Sequence, residues 1–148
     1  MINVYSALDI AQYIIRICNE RNLPISNLRL QKVLYFIQAE FLVFKKTPCF
    51  KEDIEAWDFG PVVPEVYHRY KGYGAASIPF ITSSPFIRII NDMDEELISQ
   101  VINETSKYSV TTLVDITHNQ TPWINAYNSG FNCIITKESI KNFFEGDN

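Results

Sequence analysis

The chain is poor in the residues that most often carry chemistry. Its 148 positions include two histidines, His68 and His118, fifty residues apart, and neither stands in an H-E-x-x-H or paired-cysteine arrangement. Converging metal ligands are therefore not expected, nor is any other cofactor. Glycine occurs five times, and its one close pair, Gly72 and Gly74, follows a helical segment instead of opening one. A backbone cradle for phosphate needs the reverse order. The three cysteines, Cys18, Cys49 and Cys133, are odd in number, widely spaced and without C-x-x-C. They read as reduced thiols of a cytoplasmic protein. The opening MINVYSALDI has no basic, then apolar, signal-like order, and no apolar run approaches the ~18–20 residues that span a bilayer. Basic residues are not in excess: 13 Lys and Arg face 17 Asp and Glu, a net charge of −4. That balance leaves no electrostatic reason to expect nucleic acid as a partner.

Core-forming side chains are plentiful. Hydrophobic residues make up 47% of the sequence and aromatic residues 14%, which suits one folded domain over residues 1–148. Periodicity makes it mostly α, a single compact helical domain of about six helices with one or two very short β-strands. Ser6 reads as the cap of a helix bearing Ala7, Ile10, Ala11, Ile14, Ile17 and Cys18 on one stripe, closed by the NLP at Pro24. Ser26 caps a second helix, with Ile25 and Leu30 placed as a hydrophobic staple. Leu30, Leu34, Ile37, Phe41 and Phe44 continue that helix at helical spacing, so it is expected to be central. Residues 54–59 alternate as a short extended segment, which Gly60-Pro61 is expected to break. Pro64 suits the first turn of a further helix. FIRII, residues 86–90, reads as a brief strand or an extended linker. Asp92 with Glu95 reads as a capping-box variant ahead of Leu97, Ile98, Val101 and Ile102. Ser109, Pro122-Trp123 and Thr136 mark three further helix starts.

The densest feature is EAWDFGPVVPEVYHRYKGYG, residues 55–74. It gathers Trp57, Phe59, Tyr67, His68, Tyr70 and Tyr73 around Gly60, Pro61 and Pro64. Such rings on rigid turns either fill a core between helices or form an exposed patch, where they give contact area at small entropic cost. Two catalytic readings compete with it. Asp115 and His118, three apart on a helix, could meet on one face for acid–base work, although a structural hydrogen bond is the ordinary use of such a pair. Cys133 with His118 has no local support as a nucleophilic pair.

Four blocks carry a family resemblance: LRLQKVLYFIQAE, EAWDFGPVVPEVYHRYKGYG, LVDITHNQTPW and IITKESIKNFF. Together, and in this order, they resemble the Panacea domain, a family of phage-associated proteins many of which are antitoxins of toxin–antitoxin pairs. The resemblance runs from the first helix to the last. It implies a non-enzymatic protein that binds a cognate toxin directly, or an adaptor that delivers a partner to a protease. The matching positions are Gln31, Lys32, Tyr35, Trp57, Gly60, Pro61, Val62, Pro64, Val66, Tyr67, Thr117, His118, Pro122 and Trp123. Among them Gly60, Pro61 and Pro64 read as structural. Trp57, Tyr67, His118 and Trp123 are expected to form one cluster, part buried and part open to a partner. Lys32 is expected to reach a groove or to pair with Glu55 or Asp58.

Overall fold

The computed structural model describes residues 4–81 and 90–146. Within them the chain forms α1 (Ala7–Glu20), α2 (Asn27–Phe44), β1 (Ile54–Trp57), β2 (Gly60–Val62) and α3 (Pro64–Tyr70). It continues with a single 3₁₀ turn, then α4 (Asp92–Thr105), α5 (Val110–His118), α6 (Thr121–Ser129), β3 (Ile134–Ile135) and α7 (Lys137–Phe144). The fold is thus mostly α, with seven helices and a small antiparallel sheet ordered β2-β1-β3. Of FIRII, only Ile90 falls within the described residues.

Local chemistry explains the helix starts. The hydroxyls of Ser6, Ser26, Ser109 and Thr136 each accept the backbone N–H of the third residue beyond them, which satisfies a donor that the first turn leaves open. α4 departs from expectation by one residue: its cap is Asn91, whose side chain accepts from the Asp94 N–H, while Asp92 already lies inside the helix. The end of α1 also differs. The helix stops at Glu20, before Pro24 acts on it, and Asn22 takes a left-handed conformation with φ 57°. Bonds from Leu23 N to Cys18 O and from Asn22 N to Asn19 O then close the end as a Schellman motif.

α2 is the spine, in contact with α1, α3, α4, α5, α7 and β2. Leu30, Leu34, Ile37 and Phe41 are buried as their spacing implies, but Phe44 points out and is 69% exposed. Apolar packing does not account for the whole of α2. Asn27, Gln31, Lys32, Tyr35 and Gln38 are buried too, and they form a polar stripe. Gln38 accepts from Cys49 N and Phe50 N and donates to Phe50 O at 2.9 Å, so one amide fixes the entry to the hairpin. The hydroxyl of Tyr35 donates to Gln120 Oε1 at 2.7 Å, at the joint between α5 and α6. Buried polar groups persist in native cores when they are paired in this way.

A second buried polar centre lies at the start of α4. Asp94 is wholly buried, accepts from the Tyr5 hydroxyl at 2.6 Å and pairs with the ammonium of Lys45 at the end of α2. Burial, reinforced by the bond to Asp94, pushes the Tyr5 hydroxyl up to about 12. Tyr5 in turn joins Phe50 through a parallel bridge, so the segment before α1, the hairpin entry and α4 meet at one point.

Candidate functional site

Gly60-Pro61 does not end the extended segment; it begins the second strand of a hairpin. β1 and β2 pair with Glu55 opposite Val62, Ala56 opposite Pro61 and Trp57 opposite Gly60. Asp58 and Phe59 form the tip. Pro61 lacks an N–H, but β2 is an edge strand, where a missing donor does no harm. Neither tip residue has positive φ; that role falls to Gly60, at φ 109°. A Cβ there would lie 2.7 Å from Lys32 Cε and 2.8 Å from Thr117 Oγ1. Glycine is required twice over, by conformation and by space.

α2 clamps the second strand through its polar stripe. Gln31 Oε1 accepts from Val63 N at 2.9 Å, Gln31 Nε2 donates to Asn27 Oδ1, and Asn27 Nδ2 donates to Tyr67 O at 3.0 Å. Lys32 is 0% exposed and its ammonium donates to Pro61 O at 3.0 Å. It pairs with neither Glu55 nor Asp58 and does not reach the surface. Lys32 is thus a brace for the hairpin. Burial without a counter-ion pulls its pKa down to about 7.

α5 and α6 hold the tip from another direction. The rings of His118, Trp123 and Tyr127 stack in series, with centroids 4.2 Å and 4.5 Å apart. Each ring also bonds to the hairpin. Trp123 Nε1 donates to Trp57 O at 2.8 Å, the Tyr127 hydroxyl donates to Asp58 Oδ1 at 2.7 Å, and His118 Nε2 lies 2.9 Å from Asp58 O. The bond to Asp58 raises the Tyr127 pKa. His118 therefore serves the hairpin through Asp58, while Asp115 on the same helix is exposed. Among the described residues no three His, Cys, Asp or Glu side chains converge as a metal site.

The other side chains of the hairpin form a second ring group. Trp57 meets Tyr67 edge-on at 5.0 Å, and both approach His68. The four expected residues are thus divided: Trp57 and Tyr67 share one cluster, His118 and Trp123 another, and the Trp57 main chain joins them. Trp123 is buried, whereas Trp57 and Tyr67 are half-buried and line a cleft of about 320 Å³ with Gln31, Val62, Phe59 and Phe131. Phe59 is 66% exposed and Phe131 is 93% exposed, so the cleft opens between two projecting rings. Two of these residues escape sequence reasoning. Tyr127 follows Trp123 by four residues, a helical spacing that would have signalled the stack. Phe131 lies in a loop and gives no such sign.

The profile of the family described as "Antitoxin SocA-like, Panacea domain" matches residues 30–124, from the polar stripe of α2 to the Trp123 turn. "Antitoxin SocA" of Caulobacter vibrioides (strain NA1000 / CB15N) is 36% identical over an alignment of 112 positions that covers 69% of this chain and 60% of that protein. The chain thus spans rather less than two-thirds of the length of the curated relative it matches. No solved structure matches. The braced hairpin, its glycine-proline strand and two of the three stacked rings, His118 and Trp123, fall within the matched segment, while Tyr127 lies beyond it, and the chain belongs to the SocA-like Panacea domain family.

Proposed function

We propose that the protein is an antitoxin that neutralises a cognate toxin by direct binding, and that the aromatic cleft beside the hairpin is the surface it uses. The family supports the class of activity. The single observation that carries the site is the pair of projecting rings, Phe59 and Phe131, over the half-buried Trp57 and Tyr67. Large rings on a fixed backbone are the side chains that dominate protein interfaces, since they bury area and lose few rotamers. The hairpin backbone that carries Trp57 and Phe59 is fixed on both flanks, by Gln31 and Lys32 from α2 and by three rings from α5 and α6. In this reading residues 1–148 act as one domain, Lys32, His118 and Trp123 position the hairpin, and Trp57 and Tyr67 touch the partner. The mechanism is binding without catalysis.

Co-expression with the product of the neighbouring gene tests the proposal. That product should arrest growth alone and be tolerated beside this protein. The double variant Phe59→Ala, Phe131→Ala removes only exposed rings. It should keep its thermal midpoint and lose about 2 kcal/mol of affinity, about thirtyfold. Unaltered affinity in that variant would remove the cleft from the mechanism, and a harmless neighbour would remove the antitoxin role. Following the partner's half-life in cells separates sequestration from delivery to a protease, which predicts loss of the partner only when this protein is present.

The buried lysine gives a measurable pH signature. Its folded pKa, about 7, lies below the ordinary 10.5, so between these values the unfolded chain binds the extra proton. Stability must therefore rise with pH through that window, by on the order of 1–2 kcal/mol between pH 7 and 9. Higher up, burial raises Cys18 to about 11 and holds the hydroxyls of Tyr5 and Tyr35 protonated. Those groups reverse the slope, because there the folded state holds the proton longer. Urea unfolding at stepped pH should show the rise from pH 7 to 9, and Lys32→Met should flatten it.

A further inference from the structure

A second concave surface shares no lining residue with the aromatic cleft. It is a groove of about 630 Å³ between α2, α4, α5 and α7. Phe36, Val43, Leu113, Ile116 and Phe144 give it apolar walls, and Phe44 stands at its rim. Its charges are of one sign. Glu40 and Glu104 line it, and among the described residues no lysine or arginine does. Glu104 is answered from outside by exposed Lys107. Glu40 is half-buried and has no hydrogen-bond or ionic partner among the described residues.

We infer that this groove docks a helix of a protein partner, apolar along one face and carrying a lysine or arginine that meets Glu40. Two observations and one general rule point to that occupant. The stretch of α2 from Phe36 to Phe44 runs for about 12 Å at 1.5 Å per residue, room for roughly two turns of a helix laid alongside. Helix-bounded apolar grooves take an amphipathic helix through anchors at i, i+3, i+4 and i+7. The partnerless carboxylate then selects the charge: burial already raises the Glu40 pKa, and a covering apolar surface without a cation would bury that carboxylate further at a cost. This docking does not rest on the antitoxin reading, and the two surfaces share no lining residue.

The test uses the full chain and a synthetic 15-residue amphipathic peptide with leucines at helical spacing and one lysine beside them. A sister peptide carries glutamate in place of that lysine. Binding is followed by nuclear magnetic resonance shifts and titration calorimetry. The lysine peptide should shift signals of Phe44, Leu113 and Ile116 and bind about tenfold more tightly than its sister, the step expected of one satisfied charge contact. Glu40→Gln should abolish the preference, and Phe44→Glu should abolish binding while leaving the circular dichroism unchanged. Absence of binding, equal binding of both peptides, or a preference that survives Glu40→Gln would overturn the inference. So would a concentration-dependent dimer in sedimentation that Phe44→Glu dissolves, since a second copy would then fill the groove.

Discussion

Gly60→Ala should cost about 3–5 kcal/mol of folding stability, one of the two largest effects of any single substitution anticipated for this chain. Two penalties coincide. Alanine at φ 109° adopts a conformation that L side chains rarely enter, with strain of about 1–3 kcal/mol. Its Cβ would also approach Lys32 Cε to 2.7 Å and Thr117 Oγ1 to 2.8 Å. Lys32 cannot simply retreat, because its ammonium is held on Pro61 O inside the protein. Thr117 is fixed as well, by its own bond to Val114 O. Equilibrium denaturation measures the loss. The Gly60→Ala, Lys32→Ala double variant should lose less than the sum of the two single losses, because the nearer obstacle is gone while the backbone strain stays. A Gly60→Ala protein as stable as the parent would show that the hairpin tip is free to shift, and the rigid-flank argument for the cleft would fall with it.

Asp94→Ala should be comparably damaging, again about 3–5 kcal/mol, by another route. The substitution leaves the Tyr5 hydroxyl without its acceptor and the Lys45 ammonium without its counter-charge, with the hydroxyl inside a dry region. It also removes a negative charge from the first turn of α4, where the helix favours one. Asp94→Asn keeps the shape and some hydrogen bonding, so it should cost clearly less. Thermal unfolding of the two variants side by side checks the order. Equal losses would mean that the charge, and not the bonds, is what this position supplies.

Helix caps and apolar stripes were legible because both are local: Ser6, Ser26, Ser109 and Thr136 announce themselves within four residues. The errors fall where a distant residue decides. Gly60-Pro61 looks like a breaker until β1 is seen beside it, when the same two residues become an edge strand. Lys32 suits a groove or a pair with Glu55 or Asp58 until the hairpin covers it and supplies Pro61 O instead. Phe44 continues the apolar spacing of α2 yet projects at the groove rim. At the candidate site, Trp57 and Tyr67 were placed together in advance, but the division of the four rings into two clusters depends on how α6 crosses the hairpin. Phe131 carries no pattern at all; its value comes only from standing beside Phe59 in space.

The polar stripe of α2 has a consequence for the order in which the molecule is made. Phe50 for Gln38, Pro61 for Lys32 and Val63 for Gln31 follow soon after the helix, but Gln120 for Tyr35 comes late. A nascent chain therefore carries the Tyr35 hydroxyl of its longest helix without that acceptor until residue 120 is made. Products truncated before residue 120 would lack the acceptor for Tyr35 and the rings that grip the hairpin. They would present quality-control proteases with a helix whose polar stripe is unfinished.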